Sequence, residues 1–374
     1  MRRLLRLLLP AAVATLALAL LASTPARATT PAPKNLKHDK GARPVAAKRP
    51  DASRAGPSYA GREDAMQFAD EVAARDGLDP AWVRASIGSA RLLPNVPRLM
   101  VPAAPGATKN WRAYRGRFVE PVRIAAGVRF WRDNADTLAR AEASFGVPAE
   151  IIVGIIGVET IYGRNMGSFR VIDALSTLAF DFPEAHPRAA ERQAFFRAEL
   201  ESFLVLQNRS GESPLLPLGS YAGAMGMPQF MPSSIGSFAV DFDGDGRIDL
   251  VNDPADVIGS VANYFKAFGW TPGMASIFPV RLDPQRLQKE MLLAPDIVPT
   301  FNVETFTAAG AALDGEGLAH PGLLALIELQ NGGDAPTYVA GTKNFYVITR
   351  YNWSSYYAMS VIELGREVRL AMAQ

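Results

Sequence analysis

The chain has 374 residues, with 39 Lys+Arg against 37 Asp+Glu, a formal net charge of +2 and no cysteine. Without cysteine there is no disulfide framework and no Cys-linked lipid anchor, and a charge this close to balance gives no basic footprint for nucleic acid. No His or Cys cluster has zinc-ligand spacing, and neither a GxSxG elbow nor a phosphate-binding glycine loop occurs.

The first residues, MRRLLRLLLP, lead into an apolar run to Ala22 and then to Ala26-Arg27-Ala28. Basic residues, a short apolar core and a small-residue cleavage site predict a secretory signal peptide over 1–28. Its removal takes away Arg2, Arg3, Arg6 and Arg27, so the balance falls from +2 to net negative, and no stable transmembrane segment is expected afterwards. Residues 29–61 mix Lys34, Lys37, Lys40, Arg43, Lys48, Arg49 and Arg54 with Pro and Ala, a composition that buries no core and predicts a flexible cationic linker. From about Arg62 the chain reads as globular. AMQFADEVAARDG predicts an amphipathic helix, and DPAWVRASIGSARLL a second, started by Asp79-Pro80. After a Pro-rich passage, the stretch NWRAYRGRFVEPVRIAAGVRFWRDNADTLARAEASFGVP turns helical in period. Tyr114 lies there beside Trp111 and Phe118, where an aromatic is as well suited to a core as to a ligand.

The stretch VPAEIIVGIIGVETIYGRNMG (147–167) is apolar on nearly every side, which predicts a buried helix. Pro148 suits its first turn and Gly163 its stop. Glu159 stands at the end of that helix; desolvation there favours its protonated form, as a general acid for glycosidic cleavage requires. FRVIDALSTLAFDF and AERQAFFRAELESFLVLQNR predict two more helices, the second with a core stripe of Phe195, Phe196, Leu200, Phe203 and Leu204. GSYAGAMGMPQFMPSS (219–234) reads as a loop of Gly, small residues and Pro that lets a ligand come close to the backbone.

DFDGDGRIDLVNDPAD places Asp241, Asp243, Asp245 and Asp249 at positions one, three, five and nine of an EF-hand-like loop, with Gly246 at six. Alternate oxygens in that pattern wrap a hard cation, with Arg247 offering its backbone carbonyl. Asn252 stands where a bidentate Glu is usual. One such loop without a partner loop argues for a structural Ca2+ rather than a sensor. PADVIGSVANYFKAFGW predicts a helix, residues 271–345 a small insertion with short strands, and 346–374 a closing segment that ends in a helix.

Together, GVETIYGRNMG and GAMGMPQFMPSS resemble the lytic murein transglycosylase B family, enzymes of lysozyme-like fold that cut peptidoglycan. DFDGDGRIDL, GSVANYFKAFGW and ITRYNWSSYYAMSV extend the resemblance over most of the chain after about residue 62. It implies a mainly α (α+β) fold: an N-terminal helical part (62–140), a lysozyme-like core (141–270), the insertion and the closing segment. It implies cleavage between N-acetylmuramic acid and N-acetylglucosamine with Glu159 as acid and then base, the muramyl 6-hydroxyl acting as nucleophile to leave a 1,6-anhydro end. It assigns substrate contacts to Tyr114, Arg192, Ser220, Gln229, Phe230, Tyr264, Tyr351, Asn352 and Tyr357, and a late calcium ligand to Asp256. Peptidoglycan strands and other cell-wall enzymes are the implied partners, the periplasm the implied compartment, and no organic cofactor is implied. Two alternatives remain: a hydrolysing muramidase, whose second carboxylate would come from Asp173 or Asp181, and a wall-binding protein without catalysis.

Overall fold

The computed structural model describes residues 55–102 and 109–374. The signal-peptide reading and nearly all of the linker reading lie outside the described residues. The chain is mainly helical, with two small antiparallel sheets. Among the described residues no single helix is long and apolar enough to cross a membrane.

The first helices are α1 (Glu63–Asp76), α2 (Pro80–Ser89) and α3 (Val96–Met100), followed by α4 (Trp111–Arg115), α5 (Pro121–Asp133), α6 (Ala135–Phe145) and α7 (Ala149–Thr160). The Asp79 carboxylate caps α2 by accepting the Ala81 amide at 2.9 Å. The sequence predicts helix as far as Leu93, but α2 stops at Ser89. Side chains of another helix capture the amides beyond it: Arg91 N donates to Asp173 and Leu93 N to Thr177. Those acceptors lie on α8 (Val171–Phe180), which follows the two-residue strand β1 (Phe169–Arg170) and precedes α9 (Ala189–Ser210). β1 pairs with β2 (Leu218–Gly219), and α10 (Pro232–Phe238) and α11 (Pro254–Ala267) come next.

Packing divides these helices by contact rather than by chain order. One core joins Phe68, Val72 and Ile87 of α1–α2 to Leu175, Leu178, Phe196, Phe203 and Leu204 of α8–α9. The larger core surrounds α7 and draws on Trp111, Phe130, Leu138, Val257, Val261 and Phe265. The N-terminal helical part expected over 62–140 is therefore shared between two cores.

Downstream come β3 (Ile277–Leu282), α12 (Lys289–Leu293), α13 (Val303–Ala308), β4 (Ala311–Leu313), β5 (Ala325–Asn331) and β6 (Asp334–Gly341). The strands form one antiparallel sheet in the order β4-β3-β6-β5. Alternation along β5 explains its burial on both faces. Ala325, Ile327 and Leu329 face the larger core, while Leu326 joins Leu292 of α12 and Phe306 of α13 in a third, smaller core. α14 (Lys343–Thr349) and α15 (Ser355–Met372) then return the chain to α7.

Candidate active site

Glu159 is positioned by how closely α7 meets α15. Every other residue of α7 from Ile151 to Thr160 is buried, and Glu159 alone is partly exposed. A Cβ on Gly154 would stand 2.3 Å from the Val361 carbonyl oxygen, and one on Gly365 would stand 2.1 Å from that of Glu150. The two helices thus touch backbone to backbone. That approach carries Tyr357 over the end of α7, where its hydroxyl donates to Glu159 Oε1 at 2.5 Å.

The predicted stop at Gly163 comes two residues earlier. Ile161 (φ 53°) and Tyr162 (φ 56°) both adopt left-handed backbone conformations, which non-glycine residues rarely accept. Two contacts hold the turn. Thr160 Oγ1 donates to the Met227 carbonyl at 2.8 Å and accepts the Gly163 amide at 3.0 Å. The Tyr162 hydroxyl fills a slot between α5 and α7, 2.4 Å from where a Cβ on Gly127 or Gly157 would stand.

Burial pushes the Glu159 carboxyl up to about 7, opposed by the hydrogen bond from Tyr357. It is thus poised to hold or release a proton near neutral pH. Burial, and then the charge of Glu159, push the Tyr351 and Tyr357 hydroxyls well above the usual tyrosine range. The same two causes bring Tyr114 to about 12. All three hydroxyls are therefore neutral near the carboxyl, and Tyr357 is the one that donates to it. The Tyr351 and Tyr357 rings stack at 6.4 Å, and the Tyr351 hydroxyl is anchored to the Pro228 carbonyl at 2.5 Å. Tyr264 packs 4.8 Å from Tyr351 and donates to the Arg350 carbonyl at 2.7 Å.

The 219–234 loop forms the adjoining wall. Gln229 has φ 51°, and its side-chain nitrogen donates to the Met166 and Gly226 carbonyls. Ser220 Oγ accepts the Ala224 amide at 3.0 Å. Asn352 Oδ1 is buried with no hydrogen-bond partner among the described residues, an acceptor left available beside Tyr351. Two residues assigned to the substrate by resemblance stand elsewhere. Phe230 is only 2% exposed and supports Tyr264 and Tyr351 from within the core. Arg192 is buried against Phe195 and Phe196 on α9, in the other core. Thr160 and Tyr162, which sequence reasoning passed over, fix the turn after Glu159. The signal for Tyr162 was the pair of small residues, Gly127 and Gly157, that make its slot.

In the acidic loop, ligand oxygens of Asp241, Asp243 and Asp256 lie within 4.8 Å of one another. Asp256 is 1% exposed and accepts the Phe242 and Asp249 amides, which folds the end of the loop back onto its start. Asp249 instead binds Val251 and Asn252, and Asp245 binds the Arg247 amide. Three converging carboxylates form a hard-oxygen donor set of the kind that suits calcium.

A family model described as the transglycosylase SLT domain matches residues 60–366. The chain is 40% identical over 328 residues to membrane-bound lytic murein transglycosylase B of Escherichia coli (strain K12), covering 85% of this chain and 86% of that one. Among solved structures it resembles the Escherichia coli lytic transglycosylase SLT35 in complex with calcium (TM-score 0.73, 40% identity, 86% of this chain and 97% of that one). It also resembles SltB3 of Pseudomonas aeruginosa in complex with NAG-NAM-pentapeptide (TM-score 0.68, 28% identity, 82% of this chain and 79% of that one).

Proposed function

Because the chain belongs to the transglycosylase SLT domain family and is a lytic transglycosylase of peptidoglycan, we propose that Glu159 is the only acid–base group of its reaction. The observation that carries this is a partly buried carboxyl poised near 7, hydrogen-bonded by Tyr357 and perturbed by no other carboxylate. Protonated Glu159 gives its proton to the glycosidic oxygen as the bond to the muramyl anomeric carbon breaks. The resulting carboxylate then takes the proton of the muramyl 6-hydroxyl as that oxygen bonds to the same carbon. The proton returns to Glu159 and no water enters the product. Intramolecular attack gains the large effective concentration of a positioned group.

Hydrolysis would require a second carboxylate to activate water or trap the sugar. Asp173 is engaged by Arg170 and the Arg91 amide, and Asp181 by Tyr59 and Arg62, both beside the other core. In this reading Tyr114, Tyr351, Tyr357, Asn352, Gln229 and Ser220 hold the glycan, while Tyr264 and Phe230 brace them from behind. The products of sacculus digestion test it. Mass spectrometry is expected to find muropeptides lighter by one water than hydrolytic products, without a reducing muramyl end. Predominantly reducing ends would reject the mechanism.

The substrate reading extends to peptide-bearing glycan, and the place of action to the periplasm, where that polymer lies. The acidic loop is read as a calcium site held by Asp241, Asp243 and Asp256. A calcium ion there would offset two of the three negative charges and tie the loop to α11, so it would act on stability. Calcium added to chelated protein is expected to raise the melting temperature, by about 2.7 kcal/mol of stability at a hundredfold excess over Kd. Asp241→Asn with Asp243→Asn is expected to abolish that response; equal melting of the unaltered protein in calcium and in chelator would refute the site.

A further inference from the structure

A cavity of about 200 Å³ opens between β5, the segment after α12 and the first turn of α15. Its lining combines Ile297 and Leu326 with the polar Lys109, Asp296 and Gln330. Tyr356 forms the wall toward the active site. Its hydroxyl accepts the Gln330 amide at 2.8 Å and donates to the Gln330 carbonyl at 3.2 Å, so the ring is pinned to β5. The same ring meets Tyr114 edge-on at 5.7 Å, and Tyr114 in turn feels the charge of Glu159. One aromatic pair therefore separates this cavity from the reacting centre.

The charges in this lining are not used by the fold. Glu328 is already neutralised by Lys289 and by the Tyr338 hydroxyl. Among the described residues neither the Asp296 carboxylate nor the Lys109 ammonium has an ion-pair partner; Lys109 only approaches the Tyr356 ring, at 6.0 Å. A free anion and a free cation thus border one small cavity without pairing with each other. The 18-residue helix α15 starts at its edge, where Ser355 lines it, and adds a partial positive charge. Ligand pockets for drug-sized molecules start at about 300 Å³, so this cavity suits a single amino-acid residue rather than a saccharide.

We propose that the cavity binds the zwitterionic end of a peptidoglycan stem peptide, its free carboxylate toward Lys109 and the start of α15 and its free ammonium toward Asp296. The proposal rests on the reading that peptide-bearing glycan is the substrate. Strands whose stems are neither cross-linked nor blocked would then be preferred, because cross-linking consumes the ammonium.

The test is calorimetric titration of the protein with a lactyl-tripeptide whose third residue is diaminopimelate, and with the same peptide acetylated on its ammonium. Saturable binding of the free peptide is expected. Asp296→Asn and Lys109→Gln should each weaken it about 3–5-fold, the scale of one exposed charge pair. The acetylated peptide should bind the unaltered protein about as weakly as the free peptide binds Asp296→Asn, and should itself be insensitive to that substitution. No saturable binding, or equal binding of both peptides, would overturn the proposal; so would indifference to both substitutions. Cleavage of glycan stripped of its peptides is measured in parallel and is expected to be unchanged in both variants. Such cleavage without peptide binding refutes the cavity alone, whereas peptide binding without cleavage of any glycan refutes the enzymatic reading alone.

Discussion

Glu159→Gln is expected to reduce peptidoglycan cleavage by about 10³-fold or more, since the substitution removes both proton transfers that the mechanism assigns to one group. Gln keeps the size of the side chain, so binding of the glycan should survive. Activity of the unaltered enzyme should also fall as pH rises above about 7, where the free enzyme loses the proton it must donate. Tyr357→Phe removes the hydrogen bond that favours the charged carboxyl, so that alkaline limb should move to higher pH. The same carboxyl weakens the fold. Its native pKa, about 7, lies above its ordinary value of 4.5, so the native state holds the proton more tightly than the unfolded chain does. The penalty is absent below about 4.5, grows between the two values and is complete above about 7, where it is on the order of 3 kcal/mol. Glu159→Gln should therefore melt higher than the unaltered protein at pH 8, with the gain vanishing near pH 4. Retained turnover in the folded variant would sink the assignment.

Gly365→Ala is expected to cost about 1–3 kcal/mol or more and to impair activity with it. A methyl group 2.1 Å from a carbonyl oxygen on α7 forces the two helices apart. Backbone atoms on both sides cannot swing aside as a flexible side chain does. Separation would also withdraw Tyr357 from Glu159, since α15 carries one and α7 the other. Gly61→Ala is the control, because nothing lies within 4 Å of its Cβ position and its φ is ordinary. Its effect should stay within about 0.5 kcal/mol. Thermal melting and turnover of both variants check the contrast, and equal melting would refute the close crossing.

The apolar run ending in Glu159 was legible because a helix without a polar stripe has to be buried. The upward shift of its carboxyl was legible for the same reason, since burial itself causes it. Periodicity says which face of a helix is apolar, however, and not which distant element covers it. Tyr357 lies 198 residues from Glu159, and no local pattern links them. Arg192 shows the opposite limit. An arginine on a predicted helix can point to a ligand or lie on its own aromatic neighbours, and here Phe195 and Phe196 take it. Phe230 lay within a plausible binding loop, yet only packing places it beneath two tyrosines. In the acidic loop, spacing picked out Asp241 and Asp243, whereas Asp249 turned to nearby amides and the buried Asp256 closed the cluster.

The pairing of α7 with α15 also sets how late in folding the site is completed. Helix α7 is complete by Thr160, but its covering helix begins only at Ser355. Contacts this distant in sequence form late, because a long loop must close before they contribute anything. Until α15 docks, the chain therefore has the Glu159 carboxyl but neither its tyrosine nor the burial that raises its pKa. A variant truncated before Ser355 is therefore expected to leave peptidoglycan uncut, which sacculus digestion would check.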